Sequence, residues 1–382
     1  MTTGNFCGDN KEVFGRKQIS NQDKASNAVT AGEESKNRGK FAIKVITRGA
    51  VIRLGVLAAG VVIFCVWAYL AMIKMPGKSY SGQLPPLTEE QKHLRDELAG
   101  SVKKLAGEIG ERNIWHYKEL AAAADFIEKS LAEAGYKPAR QNYTVENQIC
   151  CNIEAELKGT SNPEQIIIVG AHYDSVYGSP GANDNGSGVA AVLAMAKYFA
   201  DKKAARTLRF VLFVNEEPPF FQNGQMGSMV YAKNCKSKNE DIIAMLSLET
   251  IGYYSSQPNS QKYPFPFNLV YPSTGNFIGF VSNLSSRQLL HKVVGSFRRN
   301  CKFPSQGGAV PEIIPGISWS DHWSFWRQGY QAIMVTDTAP FRYPYYHEPD
   351  DTPEKIDYES FVRVVAGMQI VLSEMAELKE EQ

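Results

Sequence analysis

The chain has almost no net charge and few cysteines. With 41 basic and 40 acidic residues its formal net charge is +1. Nucleic-acid binding needs a dense basic face, so no nucleic-acid partner is expected. Six cysteines in 382 residues are too few for a disulfide scaffold, and without a Cys-x-x-Cys pair a zinc ribbon is excluded. Aromatic residues make up 11% of the chain, which is enough to bury a core, so an entirely disordered chain is excluded too.

An uncharged apolar run, LGVLAAGVVIFCVWAYLAMI, extends over residues 54–73. At about 1.5 Å per helical residue it would cover roughly 30 Å, the thickness of the hydrocarbon layer of a bilayer. Basic residues are more frequent before the run than after it, which places the N-terminus in the cytoplasm. We predict a single-pass anchor that contacts membrane lipid, with the following domain in the periplasm or outside the cell. A cleavable signal peptide is the alternative, but its apolar run is usually shorter.

The composition divides the chain into four parts. Residues 1–46 are polar and lack hydrophobic periodicity, so we expect a disordered cytoplasmic tail. The anchor covers 47–74, a short stalk 75–87, and a folded domain 88–382. In that domain an apolar helical spacing begins after Thr88, and apolar runs typical of buried strands occur at 165–171, 207–214, 244–248 and 332–336. We predict an α/β fold with three layers, a mostly parallel mixed sheet between helices.

Polar side chains follow each of these four strands. They are His172 and Asp174 after the first, Glu216 and Glu217 after the second, Glu249 after the third, and Tyr346 and His347 in the loop after the fourth. In open α/β sheets, ligands bind at the carboxyl ends of the strands. We therefore expect these residues to converge on one edge of the sheet, although they are far apart in sequence.

Together with Asp184 these residues form a set of imidazole and carboxylate groups. Such a set suits Zn²⁺, Co²⁺ or Mn²⁺ and leaves positions open for water. Two histidines and three carboxylates divide into two ion sites with one shared ligand, and two ions roughly 3.5–4 Å apart lower the pKa of water from about 15.7 towards 7. Of the adjacent pair Glu216-Glu217, one side chain is available as a ligand and the other as a base. Asp174 is placed to accept the second N–H of His172.

The segments around these residues resemble the zinc-dependent aminopeptidases of peptidase family M28, relatives of bacterial leucyl aminopeptidases. They are HYDSVYGSPGANDNGSG (172–188), NEEPPFFQNGQMGS (215–228), SLETIGYY (247–254), SDHWSFWRQGY (320–330) and YYHEPDDTPEKID (345–357). The resemblance extends over nearly all of residues 88–379, in the order found in the family.

The resemblance implies a role for each residue. His172, Glu217, Glu249 and His347 would bind two zinc ions, Asp184 would bridge them, Glu216 would be the general base and Tyr346 would stabilise the oxyanion. It also implies a cis peptide after Asp184. The family usually has aspartate where this chain has Glu249, and the extra methylene moves the carboxylate, so the number of ions, one or two, stays open.

The expected function is a membrane-anchored, metal-dependent exopeptidase that removes N-terminal residues from exported peptides by means of an activated water. Two alternatives remain. One is a single-zinc enzyme like the glutaminyl-peptide cyclotransferases, and the other is a catalytically weak receptor on the same fold. The aromatic stretch 262–280 is either a wall of the substrate cleft or a surface loop. Side-chain preference, oligomeric state and any disulfide among Cys150, Cys151, Cys235 and Cys301 also stay open.

Overall fold

The computed structural model describes residues 47–378. The polar tail predicted for 1–46 therefore lies outside the described residues. By internal contacts the chain divides after Leu57, and every element of the domain belongs to the unit that begins at Ala58.

The helices occur before, between and after the strands along the chain. They are α1 (Arg48–Ala68), α2 (Glu89–Val102), α3 (Tyr117–Glu133), α4 (Gly188–Phe199), α5 (Gly227–Ser237), α6 (Arg287–Asn300), α7 (His322–Arg327), α8 (Ala339–Arg342) and α9 (Tyr358–Met375). The strands are β1 (Ala139–Val145), β2 (Gln148–Leu157), β3 (Asn162–His172), β4 (Arg206–Phe213), β5 (Asp241–Leu248), β6 (Ile278–Ser282), β7 (Ser305–Ala309) and β8 (Ala332–Thr336).

Within residues 47–378 eight strands form one mixed sheet in the order β1-β2-β4-β3-β5-β8-β6-β7. Strand β3 pairs in parallel with β4 and β5, and β5 pairs in parallel with β8. Strand β2 and the parallel pair β6-β7 run against this central block, whereas the edge strand β1, antiparallel to β2, runs in the same direction as the block. The predicted buried strands are thus the four parallel strands, and their carboxyl ends lie on one edge of the sheet.

Both faces of the sheet are covered, as the apolar runs predicted. Ile167 and Val169 of β3 belong to the larger core beneath α2, α3, α4, α6 and α9, whereas Ile166 and Ile168 belong to a smaller core with residues of α5 and α7. Alternate residues of a strand point to opposite faces, so this division is what a strand buried on both sides requires. The predicted three-layer α/β fold is confirmed.

The apolar run forms a continuous helix. Helix α1 and the turn Tyr69–Ile73 that continues it bury none of their residues. Among the described residues, Arg48–Ile73 is the one helix long and apolar enough to cross a membrane.

The segment predicted as a stalk packs against the domain. Met75 and Leu87 are buried. The guanidinium of Arg298 donates hydrogen bonds to the carbonyl oxygens of Pro76 and Gly77, each at 3.2 Å. The N–H of Ser305 donates to the hydroxyl of Ser79 at 2.9 Å. Leu87 then leads into α2, which Thr88 caps: Gln91 N–H donates to Thr88 Oγ1 at 3.2 Å.

The cysteines that the structure describes make no disulfide. Cys150 and Cys151 lie side by side in β2 and are both buried, as is Cys235, while Cys65 lies in the exposed apolar helix. The thiol of Cys301 lies near the carbonyl oxygen of Arg363, at 3.5 Å.

Candidate metal centre

The strand ends place the predicted residues at one site. His172 is the last residue of β3, Glu249 follows the last residue of β5, and Glu217 lies shortly after β4. Between β4 and the two glutamates the chain turns at Asn215, which has a φ of 59°. Asp184 comes from the loop before α4, and its peptide bond to Asn185 is cis, as the resemblance implied.

One group of donors is formed by His172, Asp184 and Glu249. The Nε2 atom of His172 lies 3.3 Å from Asp184 Oδ1 and 3.1 Å from Glu249 Oε2. The three side chains each offer one ligand atom within 4.8 Å of the other two. All three are buried.

A second group is formed by Asp184, Glu217 and His347. The Nε2 atom of His347 lies 3.1 Å from Asp184 Oδ2 and 3.4 Å from Glu217 Oε2. Asp184 therefore turns one carboxylate oxygen to each imidazole. The structure brings together all five residues that the sequence assigned to two ions, with Asp184 between the two groups.

Several atoms of these groups have no partner within the described protein. His172 Nε2, Asp184 Oδ1, Glu217 Oε1 and His347 Nε2 are buried and accept or donate no hydrogen bond among the described residues. A buried polar atom without a partner is costly. Divalent cations with imidazole and carboxylate ligands would satisfy all four, so the residues present fit zinc.

The charges lead to the same conclusion. Asp184, Glu216, Glu217 and Glu249 are buried together, and within these donor groups the cationic partners are two imidazoles. Burial, and then the charge of Asp184, raise the pKa of Glu249 to about 8. Against the effect of burial, Asp184 and Glu217 raise the pKa of His347 to about 10. The protein alone is short of positive charge here, which bound cations would supply.

Glu216 lies beside both groups. Its Oε2 atom is 3.9 Å from His172 Nε2, and it shares with His172 and Glu217 a third set of ligand atoms within 4.8 Å. Burial raises the pKa of Glu216 well above its ordinary value, against the charge of His172. The Glu216 side chain is thus shielded from solvent and lies close to any group bound between the two histidines.

Asp174 supports the site from behind. Its carboxylate accepts the N–H groups of Glu216 at 3.2 Å and Glu217 at 3.1 Å. Nδ1 of His172 lies 3.2 Å from the carbonyl oxygen of Asp174 and 3.5 Å from its carboxylate. Asp174 therefore orients residues of both groups, through contacts to the backbone as well as to the imidazole named in the sequence analysis.

Glu249 has two further hydrogen-bond donors. Asn185 Nδ2 donates to its Oε2 atom at 2.9 Å, and the hydroxyl of Ser320 donates to the same atom at 3.1 Å. These contacts direct the longer side chain toward His172. His322, two residues after Ser320, is buried against Trp326 and bonds to the carbonyl oxygen of Ile317, outside the donor groups.

Sequence reasoning missed two buried supports of the loop that carries Asp184. Asp351 accepts the N–H groups of Asn183 at 2.8 Å and Asp184 at 3.0 Å, and the hydroxyl of Tyr343 at 2.6 Å. Its place four residues after His347 was the available signal.

The other support is Arg112. Its guanidinium is buried and donates to the carbonyl oxygens of Tyr173 at 2.7 Å and Gly181 at 2.8 Å. Burial lowers the pKa of Arg112 to about 10. No sequence signal marked it, since its partners are distant along the chain.

An apolar pocket opens beside Glu249 and Tyr346. Its wall includes Tyr263, Phe267, Tyr271 and Phe277, so the aromatic stretch 262–280 lines the cleft, one of the two interpretations left open by the sequence. The ring of Tyr346 stacks on His347 with centroids 3.9 Å apart. Burial and the charge of Asp184 raise the pKa of Tyr346 well above its ordinary value, so its hydroxyl stays protonated.

We predict that Asp351→Asn weakens zinc binding by about 10- to 100-fold, since outer residues that hold ligands contribute on this scale. The amide can no longer accept both N–H groups of the Asp184 loop. Affinity is measured by competition with a chromophoric chelator. The matched control is Asp350→Asn, an equal change of charge at the neighbouring exposed residue. Equal affinities for the two variants would contradict the role of Asp351.

Sequence comparisons relate the chain to known proteins. The family model described as "Peptidase family M28" matches residues 152–371. The uncharacterized protein YfbL of Escherichia coli is 32% identical over 286 residues, covering 72% of this chain and 87% of that protein. A probable leucine aminopeptidase of Trichophyton verrucosum is 29% identical over 269 residues, covering 66% of this chain and 64% of the fungal protein.

Solved structures share the fold. The zinc aminopeptidase BSAP of Bacillus subtilis superposes with a TM-score of 0.60 at 15% identity, covering 75% of this chain and 95% of that one. A glutaminyl cyclase of Fimbriiglobus ruber superposes with a TM-score of 0.54 at 17% identity, covering 76% and 97%. With a family model matching more than half of its length, the chain belongs to peptidase family M28 and is a metallopeptidase.

Proposed function

We propose that this protein is a membrane-anchored aminopeptidase with two zinc ions. The observation that carries the proposal is the pair of donor groups that share Asp184, one oxygen facing each imidazole. His172 and Glu249 would hold one ion and Glu217 and His347 the other. When bound, zinc supplies Lewis acidity, which lowers the pKa of water and polarises the scissile carbonyl.

Glu216 would move the proton. It is a buried carboxylate beside the donor groups. Burial raises its pKa, which helps it to accept a proton and hold it. It would take a proton from the attacking water and deliver it to the nitrogen of the leaving peptide, the two transfers that amide hydrolysis requires. Asp174 keeps Glu216 in place through the backbone N–H bond described above.

Tyr346 would donate a hydrogen bond to the oxyanion. Its hydroxyl stays protonated because burial and nearby carboxylates oppose ionisation. Its ring lies against His347 and also borders the apolar pocket. A donor aimed at the developing charge is a large contribution to acyl transfer.

The apolar pocket would receive the side chain of the N-terminal residue. It adjoins Glu249 and Tyr346, so a peptide bond at the donor groups places the first side chain against Phe267, Phe280 and Val310. Burial of that side chain favours apolar residues such as leucine and phenylalanine.

The anchor would hold the domain on the outer side of the membrane. Support comes from the apolar helix and from the excess of basic residues before it. Exported peptides would then be the substrates. The likeness to a glutaminyl cyclase fold leaves a cyclotransferase with one zinc as the second candidate, and counting metal ions separates the two.

Glu216→Gln should lower kcat by about 10²- to 10⁴-fold, the usual contribution of a general base, while zinc content is unchanged. The measurement is hydrolysis of leucyl p-nitroanilide by the detergent-solubilised full chain, with zinc determined on the same sample. Glu164→Gln, at an exposed strand residue, is the control. A variant with unchanged kcat would remove Glu216 from this role.

Metal analysis of the wild-type chain should find two zinc ions, and Glu249→Gln should reduce the count to one. The amide loses the charge that faces His172 at 3.1 Å, so that site binds more weakly than the one at His347. Mass spectrometry of metal content gives the count. The exposed Glu348→Gln serves as control. One zinc in the wild type would contradict the two-ion proposal and favour a cyclotransferase.

Val310→Phe should shift specificity from large to small N-terminal residues. Val310 is buried in the pocket wall, so a phenyl ring there occupies substrate volume. We expect kcat/KM for phenylalanyl p-nitroanilide to fall about 10- to 200-fold relative to the alanyl substrate. The ratio of the two substrates corrects for any general loss of activity. An unchanged ratio would mean that this pocket does not hold the first side chain.

A further inference from the structure

The mouth of the apolar pocket has a strongly exposed apolar rim. Phe265 is 82% exposed, Leu269 72% and Ile313 90%. We call these three residues the pocket rim. Each lies beside residues that line the pocket: Pro264 and Phe267 flank the first two positions, and Ile314 follows the third. Large apolar groups exposed together mark an interaction surface.

The end of the apolar helix contacts the strand that forms the pocket wall. Gly307 of β7 lines the pocket, and a Cβ at that position would lie 2.9 Å from Met75 Cγ, directly after the span. The loop that carries Phe265 and Leu269 is the first rim loop. Just after it, the hydroxyl of Tyr271 donates to the carbonyl oxygen of Gly307 at 2.8 Å. The first rim loop is therefore hydrogen-bonded, through Tyr271, to strand β7, which Met75 contacts.

The loop that carries Ile313 is the second rim loop, and it is also connected to the end of the apolar run. Arg287, at the start of α6, donates to the carbonyl oxygen of Leu70 at 3.1 Å and also to that of Ala71. Asn283, just before α6, donates to Glu312 at 3.0 Å, the residue that precedes Ile313. Both rim loops are thus joined by short paths to residues 69–75, where the apolar run ends.

A helix that crosses a bilayer has its last apolar turn at the interface between lipid and water. The contacts described above connect both rim loops to that turn. We propose that the pocket rim inserts into the membrane surface that the helix crosses. The proposal rests on the membrane anchor in the proposed function. The pocket then opens at the lipid interface, and favours peptides whose apolar N-terminal residues partition there.

The test uses the full chain in nanodiscs of phosphatidylethanolamine and phosphatidylglycerol, in a Cys7→Ser, Cys65→Ser background. A nitroxide is attached at Phe265→Cys or Ile313→Cys. Val61→Cys, in the exposed apolar helix, reports the span. The matched control is Ile149→Cys, an exposed isoleucine in β2, which is the second strand from the edge of the sheet opposite β7. Power-saturation spectroscopy compares collisions with oxygen, which concentrates in lipid, and with a water-soluble nickel chelate.

We expect positions 265 and 313 to favour oxygen, as position 61 does, and position 149 to favour the nickel chelate. If positions 265 and 313 favour the nickel chelate as position 149 does, while position 61 favours oxygen, the insertion of the rim is overturned and the membrane anchor is not. A water-exposed position 61 would overturn both. Spin–spin broadening at 313 without oxygen preference would identify a second copy of the chain as the occupant, which also overturns the proposal. Hydrolysis of leucyl p-nitroanilide on the same samples tests the aminopeptidase function separately.

A functional variant gives a second readout. Phe265→Ser with Ile313→Ser should leave kcat/KM for soluble leucyl p-nitroanilide within about twofold, because neither residue lines the pocket. The same pair should lower the rate several-fold on a leucine-terminated peptide held on vesicles by a C-terminal acyl chain. Ile149→Ser is the control. Equal effects on both substrates would contradict insertion of the rim.

Discussion

The site depends on one buried carboxylate held between two imidazoles. Asp184 faces His172 with one oxygen and His347 with the other, and both histidines hold its pKa below the ordinary value although burial opposes this. The segment that carries it departs from helical backbone geometry at Asp184 and Asn185. Asp351 therefore accepts its N–H groups, and Arg112 binds the carbonyl oxygens just before it. Both supports are buried, so their hydrogen bonds do not compete with water.

The parallel centre of the sheet supplies the remaining donors. Because β3, β4, β5 and β8 run in the same direction, the residues after them share one edge. Asp174 then joins two of these ends, since it contacts His172 and also holds the backbone of the two glutamates after β4. Rigid strands and buried hydrogen bonds therefore bring charged groups together before any ion binds, and the repulsion among the carboxylates is what a cation relieves.

The end of the apolar helix, from Ala58 onward, and the pocket belong to the same unit of the chain. Residues 75–87, expected from their composition to form a stalk, pack on the domain through Met75, Arg298 and Ser79. A packed connection holds a domain in a defined orientation, whereas a free stalk would let it turn. The proposed contact of the pocket rim with lipid follows from this packing, and it relates membrane attachment to the choice of substrate.

The sequence by itself determined the buried strands, the helix after Thr88, the apolar helix and the identity of the residues at the strand ends, because these have a period or a motif of their own. Only the tertiary structure decided that Asp351 and Arg112 hold the Asp184 loop, that residues 262–280 wall the pocket and that the predicted stalk packs on α6 and β7. These are contacts between distant segments. They follow from how the layers pack, and no local pattern of residues encodes them.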